Sequence, residues 1–293
     1  MDNTVGIQES KQNRYVNSKQ LFEKFSCTDK GEHRMKLLCL GTGAADWDPR
    51  LASADPSFRR LTSALINREL MIDCGPCVHE FAETFGYEEL YRDVTEIIVT
   101  HSHGDHFNAD AVARVAKEAT SPVTVYGDPV IGTLLPLSEK LRFVPLTLFV
   151  PTAVGKYMVT ALSANHSTAY PEEQPLHYVI VDAEEKTMFW GCDGAWLFNQ
   201  TYHHIKKLKF DAMVFDCTVG DLENDFRSFE HNNIRMIDEL LKSLIGWHHI
   251  LKEDGQVYAN HMARTLHTDH ATLKARLAPL GVIPMHDNME ITV

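Results

Sequence analysis

The segment HSHGDH (101–106) places three imidazoles and one carboxylate within six residues. Side chains alternate along an extended segment, so His101 and His103 are expected to point in the same direction. A turn at the glycine that follows would bring Asp105 and His106 to a neighbouring position. Imidazole and carboxylate suit zinc, manganese or iron, and the spacing can serve two ions side by side. The segment therefore predicts a metal site, because so many ionisable groups after a buried strand would be costly without a use.

Further polar residues stand where other apolar runs of the sequence end. His166, Asp193, Cys217 and His261 each follow a predicted strand, as His101 does. Strands and helices alternate along the chain, which favours an α/β architecture. Ligands of α/β proteins gather at strand ends. These residues are therefore predicted to converge on one shared site.

The order of four motifs resembles the metallo-β-lactamase superfamily over residues 35–293. After HSHGDH come Asn165-His166-Ser167, Gly191-Cys192-Asp193-Gly194 and Asn260-His261, each at a predicted strand end. The resemblance implies an α/β fold, the αββα sandwich of two mixed β-sheets flanked by helices. It also implies a hydrolase that uses two divalent metal ions, zinc or manganese with iron as an option, and a hydroxide that bridges them.

The resemblance also assigns roles to single residues. Asp73, at the end of the predicted strand ELMIDCG (69–75), would support the HSHGDH loop from behind. Asp105 is assigned a catalytic role as well as a metal-binding one. The first metal would be held by His101, His103 and His166, the second by Asp105, His106 and His261, and Asp193 would bridge the two.

Three further segments resemble the phosphoribosyl cyclic phosphodiesterase branch of that superfamily. They are RRLTSALI (59–66), PMHDNMEI (284–291), and FDCT (215–218) followed by EHN (230–232). The substrate implied is a small, cyclic phosphodiester. Residues 44–50 lack the cysteine-rich insert of that branch, so its structural zinc is not expected here. The resemblance makes His231 a general acid, and Arg59, Arg60 and Arg264 are candidates for binding the substrate phosphate.

Charge narrows the classes of partner. The chain has 28 Lys and Arg against 40 Asp and Glu, a net charge of −12. Binding of extended nucleic acid needs a basic surface, which an acidic chain does not favour. A small anionic substrate is therefore expected. A tRNA 3′-processing nuclease remains an alternative because HSHGDH matches that group. Lactone, thioester or β-lactam hydrolysis is another alternative. A further one is a non-hydrolytic metal or redox protein that uses either Cys74 and Cys77 of CGPC or a di-iron centre.

The domain organisation predicted is an N-terminal extension (1–34) and one hydrolase domain (35–293). No run of 18 apolar residues predicts a membrane span, and the polar N-terminus does not resemble a secretory signal. Six cysteines do not suggest a disulfide framework in a chain of this length. Cytoplasmic location is the default expectation, and a homodimer is left open. The predicted elements include a strand at 146–151, a helix at 234–245 and a closing strand pair within 282–293.

Overall fold

The computed structural model describes residues 34–293, so the predicted extension lies outside the described residues except for Arg34. The described part holds two seven-stranded sheets and six α-helices. Among these residues no helix is both long and apolar enough to span a membrane. The helices are α1 Val78–Phe85, α2 Ala109–Glu118, α3 Pro129–Leu134, α4 Asn199–Ile205, α5 Ile234–Leu241 and α6 His270–Leu277.

The first sheet has the strand order β14-β1-β2-β3-β4-β5-β6. Its strands are antiparallel from β14 to β3 and parallel from β3 to β6. The strands are β1 Lys36–Gly41, β2 Ser63–Ile66, β3 Leu70–Ile72, β4 Glu96–Ile98, β5 Val123–Gly127, β6 Leu141–Pro145 and β14 Glu290–Thr292.

The second sheet repeats this plan with the order β13-β12-β11-β10-β9-β8-β7. Here the pairs from β13 to β10 are parallel and those from β10 to β7 are antiparallel. The strands are β7 Pro151–Val154, β8 Tyr157–Ser163, β9 Leu176–Val181, β10 Thr187–Gly191, β11 Phe210–Asp216, β12 Leu251–Asn260 and β13 Val282–Pro284.

Three apolar cores hold the layers together. The central core lies between the sheets, where Ile72 and Ile98 of the first sheet pack with Trp190 and Val214 of the second. A second core joins the first sheet to α1 and α2, and a third joins the second sheet to α4, α5 and α6. Helices thus cover the outer face of each sheet, and the predicted αββα sandwich of two mixed β-sheets is confirmed.

The strand predicted at 146–151 is wrong. Residues 146–150 connect β6 of the first sheet to β7 of the second, and Phe149 has a left-handed φ of 62°. The segment is apolar because Leu146 and Leu148 pack against the central core while the chain crosses between sheets. An apolar run that serves a crossover looks like a strand in sequence, which explains the error.

One helix boundary and one strand pairing also differ from the prediction. The helix predicted at 234–245 is α-helical as far as Leu241 and continues as a π-helical turn, Lys242–Trp247. The two closing strands exist, but they belong to different sheets: β13 pairs with β12, and β14 pairs with β1. The end of the chain therefore connects the two halves of the sandwich.

Candidate metal centre

The HSHGDH loop follows β4 at the edge where the two sheets meet. After β4 the chain turns back, because the amides of His106 and Phe107 both donate to the carbonyl of His103, at 2.9 and 2.8 Å. The amide of Cys74, beyond β3, donates to the carbonyl of His106 at 2.9 Å. The turn expected at the glycine is present, and a neighbouring strand end holds the loop in place.

Three histidines and one aspartate form a first cluster around His103 Nδ1. His101 Nε2 lies 3.0 Å from this atom, and His166 Nε2, from the loop after β8, lies 3.2 Å from it. Oδ2 of Asp193, beyond β10, lies 3.6 Å from His101 Nε2 and 3.7 Å from His166 Nε2. These four ligand atoms all lie within 4.8 Å of one another.

A second cluster shares the same carboxylate. The Nε2 atoms of His106 and His261 lie 3.1 Å apart, and Asp105 Oδ2 is 3.5 and 3.4 Å from them. Asp193 Oδ2 lies 3.1 Å from His106 Nε2. One oxygen of Asp193 therefore stands between both clusters, as a bridging ligand would. The structure brings together all seven residues of the predicted ligand set.

The donor set of the second cluster shows whether it fits a metal ion. His106 Nδ1 donates to Asp73 Oδ2 at 2.8 Å, so the nitrogen that this ring presents to the cluster is Nε2. Ligand atoms of His106, His261, Asp105 and Asp193 all lie within 4.8 Å of one another. Two imidazole nitrogens and two carboxylates at this spacing fit a divalent ion.

Asp73 occupies the supporting position that the sequence predicted. Its carboxylate is fully buried and accepts bonds from the Thr100 amide at 2.7 Å and the Thr100 hydroxyl at 2.9 Å, besides the bond from His106. Its φ of 59° lies in the left-handed region, which an aspartate tolerates better than most residues. Asp73 therefore fixes both the ring of His106 and the start of the HSHGDH loop.

Burial and neighbouring charges together set the pKa values of the ionisable groups in the clusters. Burial lowers the pKa of His101 well below its usual value, so this ring is neutral. Burial also opposes charge on His261, but the carboxylates of Asp193 and Asp105 raise its pKa to about 9. Burial would raise the pKa of Asp105, but His106 and His261 lower it to about 2. The site therefore holds ionised carboxylates ready for cations.

His231 stands beside the second cluster at the start of the segment that leads into α5. Its Nδ1 lies 3.0 Å from Asp216 Oδ2 and 3.2 Å from the hydroxyl of Thr218. Its ring stacks on that of His261 at 5.6 Å with an interplanar angle of 15°. Burial opposes its charge, but Asp216 and Asp193 raise its pKa to about 11. The ring therefore holds a proton in the metal-free protein.

Sequence reasoning quoted the DCT segment but assigned no role to Asp216 or Thr218. Asp216 accepts four hydrogen bonds, two of them from the backbone amides of Thr218 and Asn232. The hydroxyl of Thr218 also lies 2.8 Å from His261 Nδ1. Their position at the end of β11, beside the other polar strand ends, was the available signal.

Arg59 and Arg60 do not reach the site, which corrects their assignment to the substrate phosphate. Both side chains are buried, with 3% and 1% of the residue exposed. Arg59 Nη1 donates to the hydroxyl of Thr42 at 2.8 Å. Arg60 binds Glu80 through two nitrogens, at 2.6 and 2.8 Å, and Asp287 at 3.2 Å. Both guanidiniums are therefore engaged in ion pairs and hydrogen bonds, some of which join the first sheet to the C-terminal segment at Met285 and Asp287.

Arg264 lies near the rim of the cleft. Its amide donates to Asp46 Oδ1 at 2.7 Å, and its Nε donates to the Asp46 carbonyl at 3.1 Å. The residues on either side of it, Ala263 and Thr265, line the cleft, but Arg264 itself does not. Its assignment to the substrate stays a prediction.

The two clusters open into a cleft of about 270 Å³. Among the described residues one arginine lines it, Arg227, which sequence reasoning missed because it lies in a loop without a motif. The lining also includes His103, Asp105, His166, Asp193, His231 and His261, with Ala44, Ala45, Asp46, Thr218, Glu230, Ala263 and Thr265.

The cysteines in the described residues are all buried and free. Burial raises the pKa of Cys74, and it raises that of Cys77 to about 11. Thiolates are therefore disfavoured at both positions, which argues against a redox role of Cys74 and Cys77.

Comparison with known proteins places the chain in a family. Residues 68–262 match the model of the family "Beta-lactamase superfamily domain". Ribonuclease Z of Exiguobacterium sp. (strain ATCC BAA-1283 / AT1b) is 37% identical over 101 residues. That match covers 32% of this chain and 30% of the length of the ribonuclease.

Solved structures show the same fold at low identity. The metallo-beta-lactamase fold protein YhfI from Bacillus subtilis superimposes with a TM-score of 0.67 at 15% identity, over 89% of this chain and all of that one. A diphosphatase from the PhnP family gives a TM-score of 0.66 at 16% identity, over 89% of this chain and 97% of that one. The chain therefore belongs to the beta-lactamase superfamily and has the metallo-β-lactamase fold.

Proposed function

We propose that the chain is a dinuclear-metal-dependent phosphodiesterase that acts on a small, cyclic or nucleotide-like phosphodiester. The observation that carries this proposal is the shared oxygen of Asp193, which lies between two clusters of ligand atoms. A pair of divalent ions, zinc, manganese or iron, supplies charge for both the attacking and the leaving oxygen of a phosphoryl centre and acidifies bound water.

The protein's own groups have distinct roles in this proposal. His101, His103 and His166 would hold the first ion, Asp105, His106 and His261 would hold the second, and Asp193 would be a ligand of both. Asp73 and Asp216 orient the rings of His106 and His231 through their Nδ1 atoms. His231 lines the cleft and donates the proton that the leaving alkoxide needs.

The size of the cleft supports a small anionic substrate. Its volume of about 270 Å³ lies just below the range of roughly 300–1,000 Å³ that is usual for ligand pockets. The net charge of −12 disfavours binding of long polyanions. Both properties favour a single phosphodiester over a polynucleotide.

The test compares hydrolysis of bis(p-nitrophenyl) phosphate by the metal-loaded protein and by Asp193→Ala. We expect at least about a hundredfold loss of kcat/KM, because the change removes a ligand from both clusters. Asp221→Ala is the matched control, since Asp221 is exposed, pairs with Arg276, belongs to neither cluster and does not line the cleft. Equal activity of wild type and Asp193→Ala would contradict the proposal.

A second candidate function is cleavage of tRNA precursors, and the partial identity to a ribonuclease Z favours it. If the chain is such a nuclease, we expect it to bind a precursor tRNA in a salt-dependent way and to release its 3′ trailer. If the trailer is released with a higher kcat/KM than that for small diesters, the nuclease replaces the small-molecule phosphodiesterase as the proposed function.

A further inference from the structure

We propose that Arg227 is the residue that selects a phosphoryl substrate, by binding its non-bridging oxygens at the wall of the cleft. The inference deepens the proposed phosphodiesterase function and rests on it. The sequence assigned this role to other arginines, but the structure places Arg227 in the lining of the cleft that contains both ligand clusters.

The backbone directs the Arg227 side chain toward the cleft. Residues Phe226–Phe229 form a 3₁₀ turn that begins after Asp225 and ends at Glu230. Side chains three residues apart lie above each other in such a turn, so Arg227 and Glu230 share one face. Both line the cleft. Phe226 and Phe229 share a different face and are 78% and 82% exposed.

Asp225 holds the guanidinium by one edge. Arg227 Nε donates to Asp225 Oδ1 at 2.7 Å, and Nη2 donates to Oδ2 at 2.6 Å. The Cζ of Arg227 lies 5.4 Å from the centre of the Phe226 ring, which restricts the plane further. No hydrogen bond within residues 34–293 uses Nη1 of Arg227. The end formed by Nη1 and the second hydrogen of Nη2 therefore remains for a ligand.

This remaining edge has the geometry of an oxyanion site. Two parallel N–H groups of a guanidinium match two oxygens of a phosphate, which a carbonyl ester cannot offer. Acidic side chains of the outer cleft already have donors. Asp46 accepts from the amides of Arg264 and Thr265, and Glu230 accepts from Ser167. The free donors of Arg227 therefore face a cleft whose neighbouring carboxylates are engaged elsewhere.

The test measures binding as well as turnover in the metal-loaded full chain. We compare wild type, Arg227→Gln and Arg235→Gln by calorimetric titration with inorganic phosphate. Arg235 is the matched control, because it is 70% exposed on α5 and does not line the cleft. We expect Arg227→Gln to bind phosphate about tenfold more weakly, as for a lost charge-assisted hydrogen bond, and Arg235→Gln to bind as wild type does.

Measurements of turnover distinguish a loss of selectivity for phosphoryl substrates from a general loss of activity. Arg227→Gln should raise KM for bis(p-nitrophenyl) phosphate about tenfold and leave kcat/KM for the neutral p-nitrophenyl acetate unchanged. The backbone amide of Arg227 donates to Asp225 Oδ1 at 2.9 Å. This bond does not use the Arg227 side chain, so the turn is retained in Arg227→Gln. Arg227→Lys is a second variant, which keeps the positive charge but loses the paired N–H donors of the guanidinium. Its phosphate affinity should lie between those of wild type and Arg227→Gln.

Two outcomes would overturn the inference: unchanged phosphate binding in Arg227→Gln, or equal losses on the charged and the neutral ester. Failure of the proposed function gives a different pattern. The wild type would then hydrolyse no phosphodiester, while Arg227→Gln would still weaken phosphate binding, and Arg227 would stand as an oxyanion-binding residue.

Discussion

At the scale of single residues, Asp73 decides which nitrogen of His106 is available to a metal. We predict that Asp73→Asn lowers metal affinity about 10–100-fold. If the asparagine oxygen accepts from the Thr100 amide, its NH₂ group faces His106 Nδ1, and the His106 proton must move to Nε2. Competition with a chelating dye measures the affinity.

The control for this variant is Asp182→Asn. Asp182 accepts backbone bonds from Glu184 and Lys186 in the β9–β10 turn, and it belongs to neither cluster. We expect its metal affinity to match wild type. An Asp73→Asn protein that binds metal as tightly as wild type would show that Asp73 does not act through the His106 ring.

The raised pKa values of the site predict proton release when metal binds. In the metal-free protein the pKa of His261 is about 9, and Asp105, Asp193 and Asp73 raise the pKa of His106 well above its usual value against the effect of burial. Both rings carry protons at pH 7.5, and a metal ion must displace them. Affinity therefore falls as pH is lowered below about 9, roughly tenfold per unit for each proton displaced.

Calorimetric titration of zinc at pH 7.5 in two buffers with different ionisation enthalpies counts these protons. We expect a positive number that decreases as the pH rises through about 9. Equal heats in both buffers would mean that the rings are neutral before metal binds.

At the scale of elements, the loop after β3 packs directly against the metal-binding loop. A Cβ built on Gly75 would lie 2.4 Å from the carbonyl oxygen of Asp105, closer than real Cβ atoms come. We predict that Gly75→Ala displaces Asp105 and lowers both metal affinity and hydrolysis at least about tenfold, because small shifts in a catalytic site have large effects.

Gly104 offers the matched control inside the same loop. A Cβ there meets no atom within 4 Å, so Gly104→Ala should leave metal affinity and hydrolysis within about twofold of wild type. Metal affinity and kcat/KM of both variants test this contrast. Equal effects of the two substitutions would mean that the contact between Gly75 and Asp105 does not position the ligand.

The sequence predicted the elements that carry a clear local pattern and missed those set by tertiary contacts. The strand predicted within 69–75 is present as β3, and the helix predicted from 234 begins at Ile234 as α5. The convergence of five histidines and two aspartates followed from their position at strand ends. Burial of Arg59 and Arg60, by contrast, depends on partners as distant as Asp287, which local patterns do not reveal.

At the scale of the whole molecule, the site is formed where the two seven-stranded sheets, each with its helices, lie against each other. The first sheet supplies the HSHGDH loop, and the second supplies His166, Asp193 and His261. Neither sheet alone holds a complete cluster. The net charge of −12 includes carboxylates at this junction, which bound cations would neutralise locally while the remaining surface stays acidic.

The central claim, two metal ions that share Asp193, is tested most directly by anomalous diffraction from crystals of the zinc-loaded protein. The account predicts two peaks about 3.5–4 Å apart, with Asp193 between them. One peak should lie among His101, His103 and His166, and the other among Asp105, His106 and His261. A single peak, or peaks away from Asp193, would contradict it.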